Sequence, residues 1–423
     1  MNKYHIGIAG AGIAGLIAGR ELLRAGHTVS IFEGRSRTGG RIQSLEMDGY
    51  VVETGPEFIH GRLKETLGLL KEYEISYVPI DGIMYRSNES GLTVSYDIVE
   101  GWDQLLDKMK TLKQDLPFRD FLNTEFPEER FQALRNSAIR FAEGFDLADT
   151  STASTKGLID EWQEEEAEQY RVPGGYQMLT HSIENEIRTL GGNIYLNHAL
   201  NRVDWNTNQT RLFAGEEMFT VDKLIITLPV SLLIQSRLLP GSVIFSPSID
   251  KKLEAFRQIG YGTVIKIVLI FRTIFWKSLI PDALFIFSDR IIPTWWTQHP
   301  LDVPMLSGWL GGPKAAALAG HPESFFLDKA METLSGIFSI SPEEIKNNLT
   351  GYRIFNWKND PWTKGAYSFA LPGYEVVKEI YREPIENRIY FSGEAGYDGP
   401  HPGTVEAAVV SGLATARKLL SDA

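Results

Sequence analysis

The chain has 423 residues, 43% hydrophobic and 23% charged, an ordinary balance for a globular protein with a sizeable core. Its 42 basic and 54 acidic residues leave a net charge of −12, which argues against a nucleic-acid partner. The absence of cysteine excludes disulfides, thiolate metal sites, cysteine nucleophiles and cysteinyl cofactor links, and no apolar run reaches the roughly 18 residues of a membrane span.

The first element, "YHIGIAG", reads as a buried parallel strand. "AGLIAGRELLRAG" follows as a helix and "TVSIFE" as a second strand ending at Glu33. Between strand and helix lies Gly10-x-Gly12-x-Ala14-Gly15. Gly10 permits the tight turn, Gly12 lets backbone approach a pyrophosphate, and Gly15 allows close helix–strand packing. The helix N-terminus offers free N–H groups and a positive dipole end to phosphate. An acidic residue at position 33 suits the adenosine ribose and disfavours a 2′-phosphate. A glycine-rich turn that binds no nucleotide is the bland alternative. This glycine placement fits a dinucleotide cradle better than a signal peptide, so the expected compartment is the cytoplasm. The next loop, "EGRSRTGGRI", carries Gly40 and Arg41 and can add a second set of phosphate contacts, with arginine as a bidentate donor; bare, it is a basic surface turn.

Residues 63–170 mix several helical stretches, and 151–170 reads as an acidic, solvated helix. "RVPGGYQMLTHSIENEIRTLGG" is a turn and a helix closed by Gly191, followed by short strands to residue 229. Residues 261–272 form a strand with Val264, Lys266, Val268 and Ile270 on one face and Ile265, Ile267, Leu269 and Phe271 on the other. Both faces look buried, so the Lys266 ammonium has no obvious water and an unpaired charge there is expensive. Either the strand lies at a sheet edge, or the interior wants a proton donor. A strand at 283–287, a Trp-rich stretch and a helix at 322–338 come next. The chain closes with the strand "NRIYFSGEAG" and a helix whose apolar stripe is Val405, Val409, Leu413, Ala416 and Leu420. Strand–loop–helix units at both termini imply a domain assembled from distant pieces.

Taken together, "GAGIAG", Glu33, "GGR", "ETGPEFIHG", "RVPGGYQML", "NRVDW", "DPWTKGAYS" and "FSGEAG…HPGTVEAAVVSG" resemble, along the whole chain, the flavin-containing amine oxidase superfamily, which includes monoamine, polyamine and L-amino-acid oxidases and flavin histone demethylases. The resemblance implies an α/β fold: a Rossmann-like FAD-binding domain (1–78, 171–246 and 372–423) with an inserted α+β substrate domain (79–170 and 247–371). It places Gly55, Pro56 and Glu57 beneath the flavin ring, Val203 near adenine, and Glu394 by the ribityl and phosphate region. It sets Thr404 and Val405, at a helix N-terminus, against the flavin pyrimidine carbonyl. Lys266 falls where the family holds a water beside flavin N5, a position where a cation favours reaction with oxygen. Tyr367 becomes an aromatic wall on the substrate face, where it also tolerates a cation. His60 matches a pocket histidine of some polyamine oxidases, there to position the amine or move a proton; a structural histidine is the other reading.

Ala366 stands where monoamine oxidases attach flavin through cysteine, so FAD is expected to be non-covalent. The second aromatic wall of those enzymes aligns with Thr404, which with His60 points to a polyamine or other alkylamine. The implied reaction is net hydride transfer from the α-carbon of a neutral amine to flavin N5. Oxygen then gives hydrogen peroxide, and the imine hydrolyses to an aldehyde. The expected partners are the amine and oxygen, without metal, nucleic acid or transmembrane segment, in a monomer or homodimer. Glu164, Glu165 and Glu166 are further pocket candidates, for which a solvated helix is the better reading. Two rivals share the cradle: a desaturase or porphyrinogen oxidase, and a non-catalytic FAD-binding module.

Overall fold

A computed structural model describes residues 3–422 except 89, 90, 97, 100, 164–167, 207, 208, 237 and 238. Glu164, Glu165 and Glu166 thus lie outside the described residues. The first sheet has five parallel strands in the order Asn193–Tyr195, Thr28–Phe32, His5–Ala9, Lys223–Ile226 and Ile389–Phe391. These strands read as near-continuous apolar runs because both faces are covered. The helices Ile13–Arg24, Gln177–Thr189 and Val405–Ser421 pack on one face around Ile6, Ile8, Ile31 and Val409. The meander Leu200–Asp204, Thr210–Ala214 and Glu217–Val221 covers the other through Val203, Leu212 and Val221.

The turn out of the first strand depends on two glycines. Gly10 has φ +104°, a conformation L side chains rarely adopt. A Cβ on Gly15 would sit 2.2 Å from the Gly10 carbonyl, so only glycine lets the helix start this close to the strand.

The second sheet has seven strands, ordered Leu349–Asn356, Val264–Phe271, Met305–Gly311, Thr294–Trp296, Ala283–Ser288, Ile83–Asn88 and Gly91–Val94. Its outer face buries Ile265, Ile267, Leu269 and Phe271 beneath the helix Glu323–Phe338. The lysine strand pairs on both sides, so the edge reading of Lys266 is overturned. Four helices, Trp102–Lys110, Phe118–Glu125, Gln132–Gly144 and Thr155–Trp162, form a separate aromatic cluster.

Three local expectations change. The strand expected over 261–272 divides: Gly260–Tyr261 pairs with Ser368–Phe369, and the long strand begins at Val264. The 151–170 segment is not simply a solvated face, because Thr155, Leu158, Ile159 and Trp162 are buried on one side of its helix. In the last helix Leu413 and Leu420 are only partly buried, and Leu419 is fully so.

Glu406, in the first turn of that helix, is 5% exposed. Its carboxylate accepts the Glu65 and Thr66 N–H groups at 2.9 and 2.7 Å and the Thr66 hydroxyl at 2.6 Å. It thereby caps the helix Lys64–Glu72, which has no side-chain cap of its own. Glu406→Ala is expected to destabilise the protein by about 1–2 kcal/mol, read as a lower unfolding midpoint in denaturant.

Candidate functional site

One cavity of about 410 Å³ runs from the glycine turn to the seven-stranded sheet. Gly10, Gly12, Ala14 and Glu33 line its first end; Gly40, Arg41, Gly55, Pro56 and Glu57 its middle; His60, Tyr367, Glu394, Thr404 and Val405 also reach it. The first end fits a dinucleotide. A Cβ on Gly12 would meet nothing within 4 Å, so the turn leaves room on its cavity side. Glu33 is held in place by the Ala11 and Arg35 N–H groups, at 2.9 and 2.8 Å, with lone pairs left over for a diol. Arg37 donates to the carbonyls of Thr38, Gly40 and Ile42 and so pins the Gly39–Gly40 loop against the cradle. Arg41 donates to the Ala366 carbonyl and, at 3.0 Å, to Glu394, whose other oxygen accepts the Ser368 hydroxyl at 2.6 Å. Thr404 caps the last helix by accepting the Ala407 N–H at 3.1 Å, bringing that N-terminus to the cavity wall.

Three expected residues do not line it. Gly15 serves helix packing only. Val203 is 0% exposed and points between Leu212 and Val221 in the core. Its neighbours Ala199 and Leu200, at the start of the strand, line the cavity instead. Lys266 is also fully buried, one layer behind the wall. Its ammonium bonds Glu57 at 2.8 Å, approaches the Gly55 carbonyl at 3.4 Å and lies 5.3 Å from the Trp296 ring centre. Gly55, Glu57 and Trp296 all face the cavity, so Lys266 acts on it through them.

Glu57 is the hub of this layer. Its second oxygen accepts from Arg171 at 3.2 Å and Gln298 at 3.0 Å. Burial alone would raise its pKa, but Lys266 and Arg171 overcome that and hold it near about 2. Glu53, which no sequence reading singled out, goes the other way: burial pushes it up to about 7 despite bonds from Tyr176 N–H and Ser44. Burial, with His401 nearby, pushes His60 down to about 4. The imidazole is therefore a weaker base than an exposed histidine, which disfavours the proton transfer expected of it near neutrality. Its ring packs on Phe58 and Phe145.

A row across the sheet begins behind the wall at Lys266 and continues as the cavity floor: Lys266 pairs with Trp309, Trp309 with Thr294, Thr294 with Phe287, and Phe287 with Arg86. Directly paired residues share a face. Four strand spacings of about 4.8 Å separate Lys266 from Arg86, roughly 19 Å in all. Trp296 and Phe285 form a second row beside it. Tyr367, its hydroxyl donating to the Phe145 carbonyl, closes the box from the opposite side. The row was illegible in sequence because it joins five strands whose order only the fold sets.

The family model for flavin-containing amine oxidoreductases matches residues 13–420. A lysine-specific histone demethylase 1 homolog 2 from Arabidopsis thaliana is 25% identical over 447 residues, covering 98% of this chain and 58% of the relative. The chain thus spans little more than half that relative's length. Wild-type putrescine oxidase bound to putrescine superposes with a TM-score of 0.81 at 21% identity, over 99% of each chain. Cyclohexylamine oxidase from Brevibacterium oxydans IH-35A gives 0.82 at 16%, over 100% of this chain and 99% of that one. The expected fold, a Rossmann-like α/β unit joined to an α+β unit, is the fold these structures share.

Removing one partner of a buried pair strands the other charge. Glu57→Gln is expected to cost about 3–5 kcal/mol. In a double-mutant cycle Lys266→Met should recover much of that loss; chemical denaturation of the three variants checks it.

Proposed function

Because this chain belongs to the flavin-containing amine oxidoreductases, we propose that it oxidises an alkylamine, using FAD held without a covalent bond. The observation that carries this is the continuity of one cavity from the dinucleotide cradle to an aromatic box. The cradle Gly10–Gly15, Glu33, Gly40 and Arg41 would hold the adenosine and pyrophosphate, and Glu394 the adjoining polyol. Gly55, Pro56, Thr404 and Val405 would hold the ring system. When bound, the flavin accepts two electrons and a hydrogen from the amine α-carbon and passes the electrons to oxygen. Ala366 offers no nucleophile for attachment, and the chain has no cysteine.

The remaining work falls to the protein. Phe58, Trp296, Trp309 and Tyr367 exclude water and present aromatic faces to the amine. Lys266 stabilises negative charge developing near Gly55 and Glu57, and the Val405 helix N-terminus does so at the other side. His60, a weak base in this buried setting, serves to orient the amine more than to deprotonate it. The amine therefore loses its proton to solvent on entry.

Of the polyamines and other alkylamines to which the sequence points, the box favours the latter, since most of its substrate-side wall is aromatic. The reading also assigns cofactor binding to 1–78, 171–246 and 372–423 and substrate binding to 79–170 and 247–371. It places the protein in the cytoplasm as a monomer or homodimer. Among the described residues no helix is long and apolar enough to cross a membrane.

Anaerobic mixing with an amine panel should bleach the flavin. The bimolecular rate should rise with pH toward the amine's own pKa, without an inflection between pH 6 and 8 from His60. A desaturase or a non-catalytic module would show no bleaching with any amine. Lys266→Met should slow reoxidation by oxygen more than reduction by amine; equal slowing would remove its assigned role.

A further inference from the structure

Resting on the amine-oxidising reading, we propose that the substrate carries an anionic group remote from its amine, and that Arg86 receives it at the far end of the cavity floor. Four arginines line the cavity. Arg35 is paired with Asp360 at 2.6 Å, Arg41 with Glu394 at 3.0 Å and Arg140 with Asp289 at 2.9 Å. Among the described residues Arg86 has no carboxylate at ion-pair distance. Its guanidinium donates to one described partner, the Ile98 carbonyl at 3.2 Å, and lies 5.6 Å from the Phe287 ring centre.

A guanidinium has five N–H donors in a planar fork suited to a carboxylate or phosphate. Arg86 is half-buried, so its charge is costly, and Arg140 beside it adds a repulsion that Asp289, the smaller influence, offsets only in part. An anion arriving there relieves both. The cavity's carboxylates point the same way. Glu33, Glu57 and Glu394 are engaged by the protein's own donors, leaving Glu161 as the other acid among the described lining residues. A polyamine's distal ammonium would therefore face Arg86 and meet repulsion. Between the two ends Trp309 and Phe287 flank Thr294, with Trp296 and Phe285 in the row beside them; this mostly aromatic floor suits an apolar spacer, and its span requires a long one.

The test uses the flavin-loaded protein and a series of ω-aminoalkanoates, each set against the n-alkylamine of equal chain length, with anaerobic bleaching as the readout. The acid should be preferred only above a threshold length, where its carboxylate reaches Arg86. Arg86→Gln should cut that preference at least about tenfold, the scale of one charged hydrogen bond. Arg86→Lys, which keeps charge but not the fork, should fall between. Decanoate, which has no amine, should bind the wild type and quench tryptophan fluorescence, and bind Arg86→Gln about tenfold more weakly. Equal rates for acid and alkylamine at every length, an unchanged preference in Arg86→Gln, or spermidine outpacing both would overturn the proposal. If no amine bleaches the flavin, the amine-oxidising reading fails. The decanoate arm then decides the anion site alone: binding that depends on Arg86 upholds it, and no binding or Arg86-independent binding refutes it.

Discussion

A lysine ammonium with no solvent around it constrains the rest of this structure. Burying Lys266 in an eight-residue apolar strand is tolerable only with an anion in hydrogen-bond contact, and Glu57 supplies it. Glu57 comes from the N-terminal part of the chain, Arg171 from the strand Gln169–Arg171, and Gln298 from the loop after Thr294–Trp296. Three stretches far apart in sequence are thus tied to the second sheet by charges that cannot be separated cheaply. The segment Gly55–Glu57 is fixed between that network and the cavity, so the network's position sets the shape of the middle of the site. Two cations, Lys266 and Arg171, share one carboxylate there, with Glu53 near enough to act on both.

Much of the first sheet was legible from sequence because its signals are local. A strand, Gly10 with its positive φ, Gly15 at a contact no Cβ allows, and an acid after the second strand all fall within the first 33 residues. The lysine strand was legible as a pattern, with its two faces sorting as the alternation requires, but its depth was not. Edge and interior strands differ in their neighbours, and the partners of Val264–Phe271 lie about forty and ninety residues onward.

The misses have the same origin. Val203 and Leu200 are both buried apolar members of one strand, and only the position of the strand's start beside the cradle brings Leu200 to the cavity. His60 kept its ordinary titration in the sequence reading because burial is a property of the fold. Glu53, Glu57 and Glu406 are three carboxylates with similar one-dimensional surroundings. One is pushed up by burial, one is held down by two cations, and one caps a distant helix. Arg86 carried no signal at all, since its meaning comes from the strands between it and Lys266.

The order of strands in the parallel sheet has a consequence for biogenesis. Its fifth strand, Ile389–Phe391, and the helix Val405–Ser421 that packs on Ile13–Arg24 are synthesised after the sheet's other four strands. Until then the strand Lys223–Ile226 has one edge of unpaired backbone N–H and C=O groups, and the first helix lacks its cover. The nascent chain must keep this surface apart from other chains through most of synthesis. An unpaired edge that waits this long for its partner is a place where one chain can mispair with another.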